Sequence, residues 1–464
     1  MAQPLTEGSI RGRLVTLTLP MVWGIFAIVG FNLADTYFVG QLGTQQLAAM
    51  SFTFPVVMTL GSLALGLGVG ASSLIARAIG EGDHSRVQRF TTNSLTLGVT
   101  AVAVLSTLGL MTIDPLFRAL GAGPEILPYV RQYMQIWYFG MVFLVVPMVG
   151  NSAIRAAGNT GTPSLIMTLS AGFNILLDPV LIFGMAGFPA LGLAGAAWAT
   201  VIARAMTLLA SLWVLKFKEN MLCPNLPTLK GTLHCWRGIL AVGLPAAGSN
   251  MVTPISIGVI TSLLASHGAV AVAGFGVASR IESFAMIALI ALAASIGPFV
   301  GQNWGAKKYG RVMQALHQSY GFCLIWGLAM AVGLAVGGAQ VSMLFNRDGA
   351  VVAIATSYLM VVPISYGGAG IIQVGSNIFN ALGKPAPAVI MTGLRMFVLY
   401  IPLAYVGSHL MGPLGIFGAA TFANGLVGVG AYWWSHHTCL GGPEQCGDSR
   451  GGDSREITSS SLRE

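Results

Sequence analysis

The stretch "ARAIGEGDHSRV", Ala76 to Val87, has an answer 225 residues later in "GQNWGAKKYGRV", Gly301 to Val312. Gly80 and Gly305, Arg86 and Arg311, and Val87 and Val312 fall in register. The same shift of 225 pairs "LPMVWG" from Leu19 with "LPAAGS" from Leu244, and "GTQQLAAM" from Gly43 with "GAVAVAGF" from Gly268. It also pairs "GNSAIRAAG" from Gly150 with "GSNIFNALG" from Gly375. Two single-residue slips then give a shift of 223, matching Pro179 to Pro402, Gly184 to Gly407, and "GLAGAA" to "GIFGAA". The chain is a tandem repeat, so the two halves share one fold.

What that fold is follows from the apolar runs. About 20 apolar residues cross roughly 30 Å of hydrocarbon. Six such runs lie near 14–38, 47–71, 92–113, 127–150, 163–185 and 192–215, and six more near 238–264, 270–297, 317–338, 351–374, 387–409 and 413–435. The expectation is an all-α polytopic membrane protein with twelve transmembrane helices in two pseudo-symmetric six-helix lobes. We place the N-terminal lobe at 1–215, an inter-lobe loop on the cytoplasmic side at 216–237, the C-terminal lobe at 238–437, and a disordered polar tail at 438–464. Six spans per half give both repeats one orientation, related by an axis along the membrane normal. Parallel repeats of this kind are a transporter architecture.

Composition agrees. The chain is 55% hydrophobic and 8% charged, with a mean hydropathy of +0.76. Soluble domains carry about 25% charged residues, so this surface belongs in lipid. The 61 glycines suit close helix packing there. The formal charge of +8 comes from basic residues scattered singly through short loops, without an aromatic-lined patch, which excludes nucleic acid as a partner. Five cysteines show neither metal-ligand spacing nor a disulfide framework. The first apolar run is too long for a cleaved signal peptide and no small-residue site follows it.

Lys and Arg placement sets the orientation. Seventeen of them fall on the face that carries both ends of the chain, three (Arg118, Arg131, Arg347) on the other, and Arg204, Arg280 and Arg395 inside spans. Both termini are therefore expected in the cytoplasm.

"FNLADTYFVG", Phe31 to Gly40, places a carboxylate near the outer end of span one. Asp178 lies at similar depth in span five. Asn32 and Asn174 stand three and four residues before the two acids, on the same helical faces. An ionised Asp at mid-membrane costs about 2.5–3.5 kcal/mol on insertion scales. Such a cluster would hold protons or share a bare cation among its oxygens, and either suits coupling to an ion gradient. The repeat partners of Asp35, Asn174 and Asp178 are Ile260, Phe397 and Ile401. The halves thus share a scaffold while only the first carries these polar groups, which places the chemistry in the N-terminal lobe. Pro20 withholds a donor from the Thr16 carbonyl and predicts a kink, with Gly24 and Gly30 as slack beyond it. Protonation of Asp35 would let helix 1 bend there. Pro20 has a twin in Pro245, so a shared structural kink accounts for the proline equally well.

Among the other charges, Arg280 and Glu282 point to different faces, Glu282 being a secondary proton-site candidate. Arg204 and Arg395 read as snorkelling or packing residues nearer the cytoplasm. Twenty-one Met and 42 aromatics would line any cavity with pliable surface.

"LADTYFVGQLG" ending span one, "FNILLDPVLIFG" in span five, "GAAWAT" in span six and the six-plus-six repeat resemble the multidrug and toxic compound extrusion (MATE) family, most of all its prokaryotic DinF-like branch. The resemblance covers the chain to about 435. It implies two lobes in a V that open alternately to either side of a bacterial inner membrane. It implies a monomer exporting amphipathic, often cationic drugs in exchange for H⁺ or Na⁺, with no other cofactor. It makes Asp35 the proton or sodium site, supported by Asn174, Asp178, Asn151 and Thr200, with Na⁺ among Asp35, Asn174 and Asp178 as the metal alternative. A flippase for a lipid-linked saccharide is the second reading, although pyrophosphate headgroups would call for several Arg or Lys in the cavity. An intramembrane enzyme is not expected, because the one histidine in a span, His317, stands alone.

Overall fold

The computed structural model describes residues 5–223 and 229–440, and the described residues form helices without strands. The first half folds into α1 (Ile10–Gly40), α2 (Thr44–Glu81), α3 (His84–Ala119), α4 (Leu127–Ala156), α5 (Gly161–Phe183) and α6 (Leu193–Trp213). The second half runs α7 (Leu229–Ala265), α8 (Ala269–Ala285), α9 (Ile287–Gly305) and α10 (Tyr309–Phe345). It continues through α11 (Gly349–Val361), α12 (Tyr366–Ala381), α13 (Ala386–Gly393), α14 (Ile401–Met411) and α15 (Pro413–Leu440). The described residues hold twelve helices long and apolar enough to cross a membrane, each overlapping one of the twelve runs read from the sequence, although the eighth, Ile287–Gly305, meets only the end of the run placed near 270–297, the rest of which is α8. Three spans of the second half are composite. The eighth breaks at Met286, the tenth passes through a 3₁₀ turn at Val362–Ser365, and the eleventh through a π-helical stretch at Leu394–Tyr400.

Local chemistry sets the ends. Ser9 caps α1 by accepting from the Gly12 N–H at 3.0 Å, and Asp83 caps α3 by accepting from the Arg86 N–H at 3.0 Å. The Arg86 N–H and the Ser85 hydroxyl hold the Asp83 carboxyl below its ordinary range. Glu81 and Arg86 form an ion pair across this turn. α1 runs unbroken through Pro20. The polar tail begins later than the sequence suggests: α15 continues to Leu440, and Thr438 donates to the Trp434 carbonyl at 2.9 Å. Residues 441–464 lie outside the described residues. Nine of the 22 residues read as an inter-lobe loop at 216–237 belong to α7, which starts at Leu229.

The repeat is visible as a two-fold relation in how the halves meet. A Cβ on Gly80 would strike the Gln302 carbonyl, and one on Gly305 would strike the Arg77 carbonyl. Gln302 and Arg77 are themselves repeat partners at the 225 shift, so one contact is used twice. Glycines also let α2 approach α7, with Gly66 against Gly243 and Gly70 against the Ile239 carbonyl. On the symmetric side, the Ser295 hydroxyl donates to the Leu17 carbonyl at 3.1 Å. Every one of these contacts falls in the halves of the helices that lead to the face carrying both described ends, here the terminal face.

A short segment straps that face shut. The Leu5 N–H donates to Gln302 Oε1 at 3.1 Å, and its side chain is buried beside Gly158 of the α4–α5 turn. Asn303 donates to the Leu5 carbonyl at 3.2 Å and Arg311 to the Gly8 carbonyl at 2.8 Å. Gln302 Nε2 donates to the Ala156 carbonyl at 2.7 Å, which ties the second half to the first. The lobes are closed at the terminal face.

Candidate functional site

α1 and α5 pack along one another, with Gly24 bringing the α1 backbone against Ser164 of α5. Asp35 and Asp178 each stand five residues before the last residue of their helix. At 1.5 Å per residue that is about 7.5 Å for both, so the two acids lie at one height. Asp178 is fully buried, Asn174 and Asp35 nearly so at 3% and 9% exposure.

Asn174, one turn before Asp178, faces it. With its amide nitrogen turned to the carboxylate, Asn174 donates to Asp178 Oδ2 at 3.0 Å and Oδ1 at 3.3 Å, while its oxygen accepts from the Thr200 N–H at 3.2 Å. α4, α5 and α6 therefore meet α1 at a small polar core in an otherwise apolar bundle. Asp178 is no helix cap, because α5 continues past Pro179 to Phe183. Asp35 bonds no neighbouring Thr or Tyr: Thr36 donates to the Asn32 carbonyl instead, and the buried Asp35 Oδ1 has no hydrogen-bond partner. Asp35 and Asp178 are close enough for their charges to interact.

Two residues join them that sequence reading did not place there. Tyr133 on α4 is buried, and Arg204 on α6 interacts electrostatically with both Asp35 and Tyr133. Arg204 is thus part of the acid cluster rather than a snorkelling residue. It makes no ion pair with Asp35; among the described residues the ion pairs are Glu81–Arg86 and Asp114–Arg131.

Two expected members stand apart. Asn32 is exposed while Asp35 is buried, so the three-residue spacing does not bring them into one environment. Asn151 sits nearer the terminal face and accepts from the Ser211 hydroxyl at 2.8 Å, locking α4 to α6. Asn151→Ala is therefore expected to cost about 1–3 kcal/mol of stability while leaving ion-coupled exchange intact. Asn174→Ala strips Asp178 of its donor and is expected to lower exchange at least tenfold. Thermal unfolding and vesicle flux on the two variants check this, and equal effects on flux would refute the distinction.

The second half is less bare than its alignment suggests. Glu282 of α8 accepts from the Tyr358 hydroxyl at 2.6 Å, and the half-buried Arg395, in the π-helical stretch, interacts electrostatically with Glu282 and donates to Asn424 at 3.3 Å. Arg280, two residues away, is exposed. Tyr358 is the repeat partner of Tyr133. Each half therefore sets one buried Tyr beside an acid with which an Arg also interacts, but draws the charged groups from non-equivalent helices. The positions equivalent to Asp35, Asn174 and Asp178 remain apolar in the second half, and the cluster around Glu282, the secondary candidate, is built from other positions, to which a comparison at fixed shift is blind. The pair Tyr133 and Tyr358 was the signal available.

Comparison with known proteins follows the same lines. The MatE family profile matches residues 20–180 and 245–406, one segment in each half. A FAD transporter of Shewanella oneidensis is 38% identical over 94% of this chain and 96% of that protein. The multidrug export protein MepA of Staphylococcus aureus is 28% identical over 89% of this chain and 91% of its own length. Among solved structures, the Vibrio cholerae MATE transporter VcmN superposes with a TM-score of 0.88 as an aspartate-to-asparagine mutant and 0.86 in a form described as bent. Identity is 30% in both, covering 93% of this chain and 97% of VcmN. With the profile lying across both repeats and the relatives spanning nearly the whole chain, this multi-pass membrane protein belongs to the MATE family, whose members are transporters and not enzymes.

Proposed function

We propose that the protein exports organic solutes across a bacterial inner membrane by exchanging them for protons, with Asp35 as the coupling group. The carrying observation is the buried, partnerless Asp35 Oδ1 set beside the hydrogen-bonded Asp178–Asn174 pair. A carboxylate in that position binds a proton or Na⁺ as an external gradient supplies it and releases it when the surroundings change. With both termini cytoplasmic, closure at the terminal face makes this the outward-facing state, and ion loading at Asp35 then accompanies bending of α1 and release of cargo. Gly30 suits the bend, since nothing lies within 4 Å of a Cβ placed there.

For the cargo two chemistries compete. MepA of Staphylococcus aureus and of Staphylococcus haemolyticus, named for multidrug export, are 28% and 26% identical, and the Shewanella FAD transporter is 38% identical. That margin favours a flavin dinucleotide, with amphipathic cationic drugs as the second reading. The protein is expected to work as a monomer.

Reconstituted vesicles with an imposed pH gradient and trapped flavin dinucleotide or drug test the proposal. Replacing sodium with choline at fixed pH is expected to leave solute-driven exchange unchanged. Loss of exchange would assign the coupling to Na⁺.

A further inference from the structure

Arg155 ends α4 where a basic residue beside a loop is usual, yet it does not face the loop. It lines a cavity of about 180 Å³ between the lobes, on the terminal-face side of the acid cluster. The cavity has room for a phosphate group or two. Asn250, Gln373, Asn377, Asn380 and Ser152 share the lining, and among the described residues no carboxylate does.

The polar groups there are short of partners. A guanidinium has five donors, and Arg155 uses one bond, from Nη2 to the Ser152 hydroxyl at 2.7 Å. Neither ion pair among the described residues involves it. The side-chain amides of Asn250, which is exposed, and of Gln373, which is half-buried, bond to nothing among the described residues. A half-buried cation with unused donors and two free amides around this space favour a ligand of opposite charge, because a charge partly withdrawn from water gains by being paired.

We propose that this cavity is an anion subsite in which Arg155 holds a phosphate group of the exported solute. The planar guanidinium matches phosphate oxygens with two parallel bonds, and the amides of Asn250 and Gln373 donate from α7 and α12. The full set comes from both lobes and meets while the terminal face is closed, whereas Arg155 and Ser152, both on α4, stay together when the lobes rock apart and so can hold the phosphate as the cargo enters. The subsite deepens the flavin dinucleotide reading and rests on it for the identity of the cargo.

The binding test needs no ion gradient. Pyrophosphate is expected to raise the melting temperature of the purified full-length protein in a concentration-dependent way, Arg155→Lys to keep part of the rise, and Arg155→Gln to lose it. No rise in the unmodified protein, or an equal rise in Arg155→Gln, would overturn the subsite. If phosphatidylglycerol gives the Arg155-dependent rise and pyrophosphate does not, the site belongs to a lipid headgroup and the cargo assignment falls. Ser152→Ala, which leaves the charge in place, serves if Arg155→Gln fails to fold; it is expected to weaken the pyrophosphate response, and an undiminished response would count against the subsite. In vesicles, Arg155→Gln should raise KM for flavin adenine dinucleotide about tenfold to a hundredfold and leave riboflavin, which has no phosphate, unchanged. An equal change for both refutes a phosphate contact. Unmodified protein that moves neither flavin refutes the flavin cargo, while the pyrophosphate measurement still decides the subsite.

Discussion

Asp35→Asn is expected to reduce solute-driven proton exchange to the rate of protein-free vesicles while the purified protein keeps its melting temperature and elution volume. The amide fills the same volume but neither releases a proton at any accessible pH nor offers the charge that holds Na⁺. Asp35 Oδ1 makes no hydrogen bond, so its loss should not unfold the bundle, and the effect is separable from stability. Solute binding measured without a gradient should persist. Exchange that survives in Asp35→Asn would remove Asp35 from the mechanism, and the acid cluster would then need Asp178 alone. Asp178→Asn is a weaker discriminator, because Asp178 accepts from Asn174 and its replacement disturbs that bond as well as the charge.

Gly80→Val acts on the seam between the lobes. Its Cβ would collide with the Gln302 carbonyl, a backbone atom that cannot swing aside. Overpacking of this kind costs typically about 1–3 kcal/mol, so the population open at the terminal face should rise roughly fivefold to a hundredfold. Spin labels at Ser85 and Lys307, both exposed and on opposite sides of the seam, with the native cysteines replaced, would report a longer distance in the variant. An unchanged distance distribution would show that the seam yields without opening. The repeat adds a control: Gly305→Val meets the Arg77 carbonyl in the symmetric position and should move the labels the same way.

Much of the fold was legible because the sequence repeats itself. Twelve apolar runs and a shift of 225 fix the number of spans, the parallel lobes and the equal depth of Asp35 and Asp178. The Asn174–Asp178 pair was readable from a four-residue spacing in a helix. The same rule failed for Asn32, because helical phase says which residues share a face and not whether that face is buried. Arg204, Glu282, Tyr358 and Arg395 were visible as charges or rings, but their assembly depends on contacts between spans that no spacing encodes. Arg155 was hidden for another reason. A basic residue at the end of a span is the ordinary mark of a loop, and only the approach of α7, α9 and α12 turns its position into a cavity wall. The flippase expectation had asked for such a cation and looked for it at mid-span.

The Leu5 strap carries a practical corollary for anyone handling this transporter. Since its amide and side chain are wedged into the joint between the halves, any affinity handle or fluorescent fusion placed ahead of it pulls on the latch itself. Such preparations would cycle at altered rates and mislead a comparison of variants, whereas a handle appended beyond α15 leaves the latch unburdened.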